Sequence, residues 1–248
     1  MVLSQILIEY SLVFMRVGVC LMILPGTSAV QVAMLIRLYI AIGISIAIFF
    51  LVRNNISIPE QPSLDKLAIL LFGEFFYAMI LALPIRFMFL ALSFFGEVVT
   101  QMIGLNPIPG TPLGDDQSST VLSSLFNLTA LVLFFSTGLH LTFILALAMS
   151  FSVYPPGELF LISQFVESIT NDLGAFFNLV VRLAAPIIIY AVIFNLIAGL
   201  VNKLTPQIPI YFVSAPFLIC GGIVLLTLVG EDILTLFIQE VETHILAR

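Results

Sequence analysis

In SFFGEVVTQMIG, the polar or small residues Ser93, Gly96, Glu97, Thr100, Gln101 and Gly104 recur at steps of three and four. That spacing gathers them on one face of a helix, with Phe94, Phe95, Val98, Val99 and Met102 on the others. Extended backwards, the face reaches Arg86. A second stretch repeats the pattern with Thr120, Ser123, Ser124 and Asn127. Between them lies LNPIPGTPLGDDQSS, whose three prolines and two glycines rule out helix and regular strand. Two polar-faced helices joined by a stiff loop suggest a water-filled passage, because irregular backbone at membrane depth must be buried in protein or line a cavity. The competing reading is a solvated connector between two amphipathic helix ends. Loop length weighs against it, since loops of this size are more often functional or disordered than plain.

Catalysis finds little support. HExxH, GxSxG, CxxC, GxxxxGK[ST] and GxGxxG are absent from the sequence. His140 lies among Leu and Phe and is expected to hydrogen-bond to a neighbouring helix; His244 lies near the C-terminus. Cys20 and Cys220 fall in apolar segments and read as two small buried residues rather than a disulfide or metal pair. No metal or cofactor is expected. Charges inside apolar segments are functional candidates by default: Arg16, Glu74, Arg86, Glu97 and Arg182. None has an evident partner in the sequence, which points to assembly with further subunits, with Arg86, His140 and Arg182 as inter-subunit polar contacts. A small-molecule carrier would show duplicated halves, and a lipid-modifying enzyme would need clustered catalytic side chains.

The elements that must position these residues are hydrophobic helices. Of 248 residues, 61% are hydrophobic and 9% charged, with a mean hydropathy of +1.22. A soluble domain carries about 25% charged residues, so the expected class is an all-α membrane protein. Eight Lys and Arg against fourteen Asp and Glu give a net charge of −6, which argues against a nucleic-acid surface. Six apolar segments are expected, at about 6–24, 38–52, 67–92, 121–150, 176–201 and 210–228, and Pro84, Pro186 and Pro216 mark three of them as broken helices in helical hairpins. Their connections fall at 25–37, 53–66, 105–120, 152–175 and 202–209. A spanning helix needs about 20 apolar residues. The first segment lacks a basic leader and carries Glu9, so it reads as a retained membrane segment. Lys and Arg do not fix the orientation.

In AAPIIIYAVIFNLIAGLVNKLTPQIPIYF, the residues Pro186, Asn195, Gly199, Pro206 and Gln207 resemble the C-terminal hairpin of the FliR family, the flagellar type III export-gate subunit with T-type relatives in injectisomes. Gly96–Glu97, Gln101–Met102 and Gly104–Leu105, and then His140, Ser150–Phe151, Pro155 and Gly157, match in the same order. Two departures stand out: Leu139 separates Gly138 from His140, and Asp115–Asp116 has no following Pro. The resemblance implies one integral-membrane domain. Its residues 1–175 would be like a P-type subunit and 176–248 a Q-type helical hairpin, set in a helical hetero-oligomer with P-type and Q-type partners. It implies a closed channel in the bacterial inner membrane for unfolded flagellar subunits, with a B-type switch protein at its cytoplasmic base.

On that reading Ser93, Gly96, Glu97, Thr100 and Gln101 line the pore. The plug is Leu105, Asn106, Pro107, Ile108, Pro109, Gly110, Thr111, Pro112, Leu113, Gly114, Asp115 and Asp116. Asn195, Gly199, Lys203, Pro206 and Gln207 form the hairpin tip and partner contact. An ordinary solvent-facing turn is the plainer account of that tip.

Overall fold

A computed structural model describes residues 2–26, 32–53, 63–105, 120–156, 160, 162–207 and 209–246. Among these the chain is helical: α1 (Val2–Ile23), α2 (Met34–Val52), α3 (Leu64–Met102), α4 (Val121–Ser136), α5 (Leu139–Val153), α6 (Ile162–Leu204) and α7 (Ile210–Leu246). In hydrocarbon every backbone polar group must be satisfied internally, and an apolar helix does this within one segment. Five of the helices are long and apolar enough to cross a bilayer, and α4 with α5 makes a sixth, bent pair. The protein is an all-α membrane protein.

The helices differ from the sequence expectation in three places. First, 121–150 is not one segment. The chain turns by 67° between α4 and α5, where Gly138 takes φ +78°, a left-handed backbone that costs a residue with a Cβ about 1–2 kcal/mol. Second, 152–175 is not all connection, since α6 already begins at Ile162. Its first turns are held by Phe165, whose ring meets Phe76 edge-on at 4.9 Å, and by the buried Asp172, which accepts from the Ser168 hydroxyl. Third, α3, α6 and α7 run on through Pro84, Pro186 and Pro216 to 39, 43 and 37 residues. At 1.5 Å per residue they are about 55–65 Å long, roughly twice a bilayer's hydrocarbon thickness.

Two compact units make up the chain. The first comprises Met1–Phe87, Phe134–Ala175 and Val241–Arg248, the second Met88–Leu133 and Phe176–Glu240. The first is organised around Arg16, which is wholly buried. Its Nε donates to Glu74 Oε2, its Nη1 to Ser150 Oγ at 3.3 Å and its Nη2 to the Tyr154 carbonyl at 2.9 Å. The guanidinium also lies over the rings of Phe151 (4.1 Å) and Tyr77 (5.2 Å). A charge this deep is tolerated because it is paired and its donors are used. The expectation that Arg16 and Glu74 lack partners within the chain is therefore overturned. Cys20 is buried beside this cluster, but Cys220 is exposed, against expectation; both are free thiols.

In the second unit, Phe89 meets Phe237 edge-on at 5.4 Å and Phe95 meets Phe126 at 5.0 Å, joining α3 to α7 and to α4.

Candidate functional site

The polar stretch of α3 divides into two ridges. Gly96 and Thr100, one turn apart, face α4 and are buried. A Cβ on Gly96 would lie 2.6 Å from Ser123 Cα and 2.7 Å from Ser123 N, so only glycine admits this approach of the two backbones. Ser93 and Glu97 are half-buried and Gln101 is exposed. Of the five residues expected to line water, Gly96 and Thr100 are thus enclosed by the chain's own α4, leaving Ser93, Glu97 and Gln101 as the open ridge.

The end of α3 and the start of α4 form a neck. Gly104 takes φ +78°, its N–H donates to the Gln101 carbonyl at 3.3 Å, and the Leu105 N–H donates to the Thr100 carbonyl at 2.9 Å. These two bonds are the Schellman pattern, which satisfies the last carbonyls of a helix and turns the chain away from its axis. On the return, Thr120 caps α4, accepting the Ser123 N–H on its hydroxyl at 3.2 Å. The two ends are tied to each other: the Thr100 hydroxyl stands 2.8 Å from the Gly96 carbonyl and 3.1 Å from the Thr120 hydroxyl. The chain therefore leaves and re-enters at one place. Leu105 is exposed at the exit. Asn106, Pro107, Ile108, Pro109, Gly110, Thr111, Pro112, Leu113, Gly114, Asp115 and Asp116 lie outside the described residues.

The second candidate is the hairpin tip. α6 stops at Leu204 and α7 begins at Ile210. The Thr205 N–H and hydroxyl both donate to the Val201 carbonyl, at 2.9 and 3.0 Å, closing the last turn of α6. Pro206 cannot continue a helical ladder. Lys203, Pro206 and Gln207 are exposed at the tip; Asn195 is exposed and Gly199 half-buried on the helix leading to it.

The expected inter-subunit residues fare differently. Arg182 finds its partner inside the chain, donating from Nη1 to Glu240 Oε1 at 3.0 Å between α6 and α7. Arg86 is exposed and donates to the Ile23 carbonyl at 3.3 Å. For His140 the described residues show no bond to a neighbouring helix. Its Nδ1 is buried without a hydrogen-bond partner, its ring 5.0 Å from that of Phe135. Tyr190, Ile103 and Gly222 are not among the residues expected from the sequence, although a Cβ on Gly222 would lie 2.9 Å from Ile103 Cβ and the Tyr190 hydroxyl donates to the Leu218 carbonyl at 3.0 Å. The adjacent glycines at 221 and 222, inside an apolar helix, were the available signal, since glycine there admits a close neighbour.

A family model described as bacterial export proteins, family 1, matches residues 7–244. The chain belongs to this family. As a family 1 export protein it is similar to the flagellar biosynthetic protein FliR of Caulobacter vibrioides, 28% identical over 218 residues, covering 88% of this chain and 86% of the relative. FliR of Aquifex aeolicus is 28% identical over 225 residues, 91% of this chain and 86% of the relative. FliR of Escherichia coli is 25% identical over 188 residues, 75% and 72% respectively. The family 1 match takes in both the neck and the hairpin tip.

Proposed function

We propose that this protein is a core subunit of the flagellar protein export gate in the bacterial inner membrane. The observation that carries the reading is the family 1 match over 7–244, with FliR relatives aligned along most of both chains. The five long apolar helices and the bent pair suit a multi-pass subunit. The protein works without catalysis: together with P-type and Q-type subunits it encloses a closed channel through which unfolded flagellar subunits pass. Residues 1–175 serve as the P-like part and 176–248 as the Q-like hairpin.

In this reading Ser93, Glu97 and Gln101 face the passage, while Gly96 and Thr100 hold the neck. The loop 105–116 plugs the lumen. A loop fastened at its base by Thr100 and Thr120 projects from a fixed point, and its three prolines reduce the freedom it loses on holding one shape. The apolar Leu105, Ile108 and Leu113 are assigned to the seal and Asp115 and Asp116 to its wet margin, because burying unpaired carboxylates is costly. The exposed tip, with Lys203 and Gln207, meets the B-type switch protein on the cytoplasmic side.

The experiment is removal of the gene from its bacterium and affinity purification of the tagged chain from membranes. The reading requires loss of flagellar filaments, restored by the plasmid-borne gene, and co-purification of P-like and Q-like chains. Filaments that persist without the gene would refute it.

A further inference from the structure

The neck described above touches a third helix. Ile103, the residue between the end of α3 and the turning Gly104, is fully buried. Its side chain fills the place where Gly222 of α7 has none: a Cβ on Gly222 would lie 2.9 Å from Ile103 Cβ and closer still to Cγ2. Next along α7, the same is true of Gly221 and Tyr190 of α6. A Cβ there would come within 3.0 Å of Tyr190 Cζ and closer to the hydroxyl. The Tyr190 hydroxyl donates into the α7 backbone, 3.0 Å from the Leu218 carbonyl and 3.2 Å from that of Phe217. Leu218 also lies against Gly104, 3.9 Å from its Cβ position. Adjacent glycines thus receive one side chain from α6 and one from the end of α3.

We propose that the Gly221–Gly222 notch is a transmission contact, by which a displacement of the α6–α7 hairpin is passed through Ile103 to the neck at Thr100 and Thr120. Tyr190 joins α6 to α7 at this level, so the two helices move as one piece. Ile103 bears on backbone rather than on a side chain that could change rotamer, and close-packed contacts pass strain on rather than absorb it. Ile103 is bonded through its N–H to the Val99 carbonyl at 3.0 Å and precedes the left-handed Gly104. A shift there therefore changes both the last turn of α3 and the direction in which the chain leaves it. The idea rests on the gate reading, since it gives contact at the hairpin tip a route to the neck.

The test uses the full assembly in native membranes, with Cys220→Ser removing the exposed thiol and Leu105→Cys reporting on the neck. The readout is the rate of labelling by a water-soluble maleimide. Gly222→Ala, which pushes Ile103 out, and Ile103→Ala, which empties the notch, should each speed labelling at least threefold. Combining them removes the Cγ2 overlap, the closest of the contacts, and leaves only the 2.9 Å approach of the two Cβ atoms, so labelling should fall below that of either single variant, toward the parent rate. Packing loss alone would add rather than cancel. Unchanged rates in both single variants, or additive effects in the double, overturn the proposal. Should Gly222→Ala fail to assemble, Ile103→Ala decides alone by the same threshold. Ion leak across the same membranes is scored separately: faster labelling without leak retains the transmission contact and counts against the loop as a seal.

Discussion

Arg16 shows what one side chain contributes when nothing around it is wet. It reaches Glu74, Ser150, the Tyr154 carbonyl and two aromatic rings from a position with no solvent exposure. Removing Glu74 strands the cation, so Glu74→Ala should cost about 3–5 kcal/mol. Replacing both members with Leu removes the stranded charge and should cost less than either single truncation. Thermal unfolding in detergent, read beside the steady-state level in membranes, checks both, and a double variant worse than Glu74→Ala would contradict the account. None of this was legible in the sequence. Arg16 and Glu74 are 58 positions apart, and hydropathy marks each as anomalous without saying that each answers the other. Arg182 and Glu240 were missed for the same reason. By contrast, the turn-forming role of Gly104 could be read from its place after a periodic helix.

Among elements, the contact of α3 with α4 sets the base of the loop. Gly96→Ala places a methyl group against the Ser123 backbone, which cannot rotate away. Overpacking of this kind costs about 1–3 kcal/mol, and it should loosen the neck without abolishing insertion. Faster protease nicking within 106–119, at unchanged membrane level, is the expected outcome, whereas unaltered cleavage would show that the approach is not required. The hairpin makes a separate prediction. Lys203→Ala or Gln207→Ala should weaken cross-linking to the basal partner severalfold while the core complex still purifies intact. The apolar runs and the hairpin turn were visible in the sequence because length, Pro206 and Pro209 report them directly. The start of α6 was not. ISQFVESITNDLG carries enough polar residues to read as connection, and Phe165 against Phe76, with Ser168 bonded to the buried Asp172, shows why it stays helical. The bend at Gly138 was hidden as well, because hydropathy is continuous across LFFSTGLHL while the backbone is not.

At the scale of the whole molecule, the charges do not require a partner chain. Arg16, Glu74 and Arg182 pair within this one. Exposed apolar surface is what calls for a cover: Ile189, Val192, Ile193, Leu196 and Ile197 on α6, and Phe212, Val213, Phe217 and Val224 on α7, all stand open. In the most apolar window of α7 only 6% of residues are buried by the rest of the chain. Lipid can cover such surface only across the hydrocarbon, roughly half the length of α6 or α7, and neighbouring subunits are the proposed cover for what lies beyond. The chain alone in mild detergent should accordingly associate or aggregate, and a monodisperse folded monomer would speak against the gate assembly. The central claim, a closed channel sealed by the loop from the neck, is tested most directly by deleting 107–114 and measuring ion flux across membranes that hold the complete assembly. With P-like and Q-like partners still co-purifying, the account predicts a leak well above that of the intact complex. Flux no higher than the intact complex would contradict it and leave the loop as a connector.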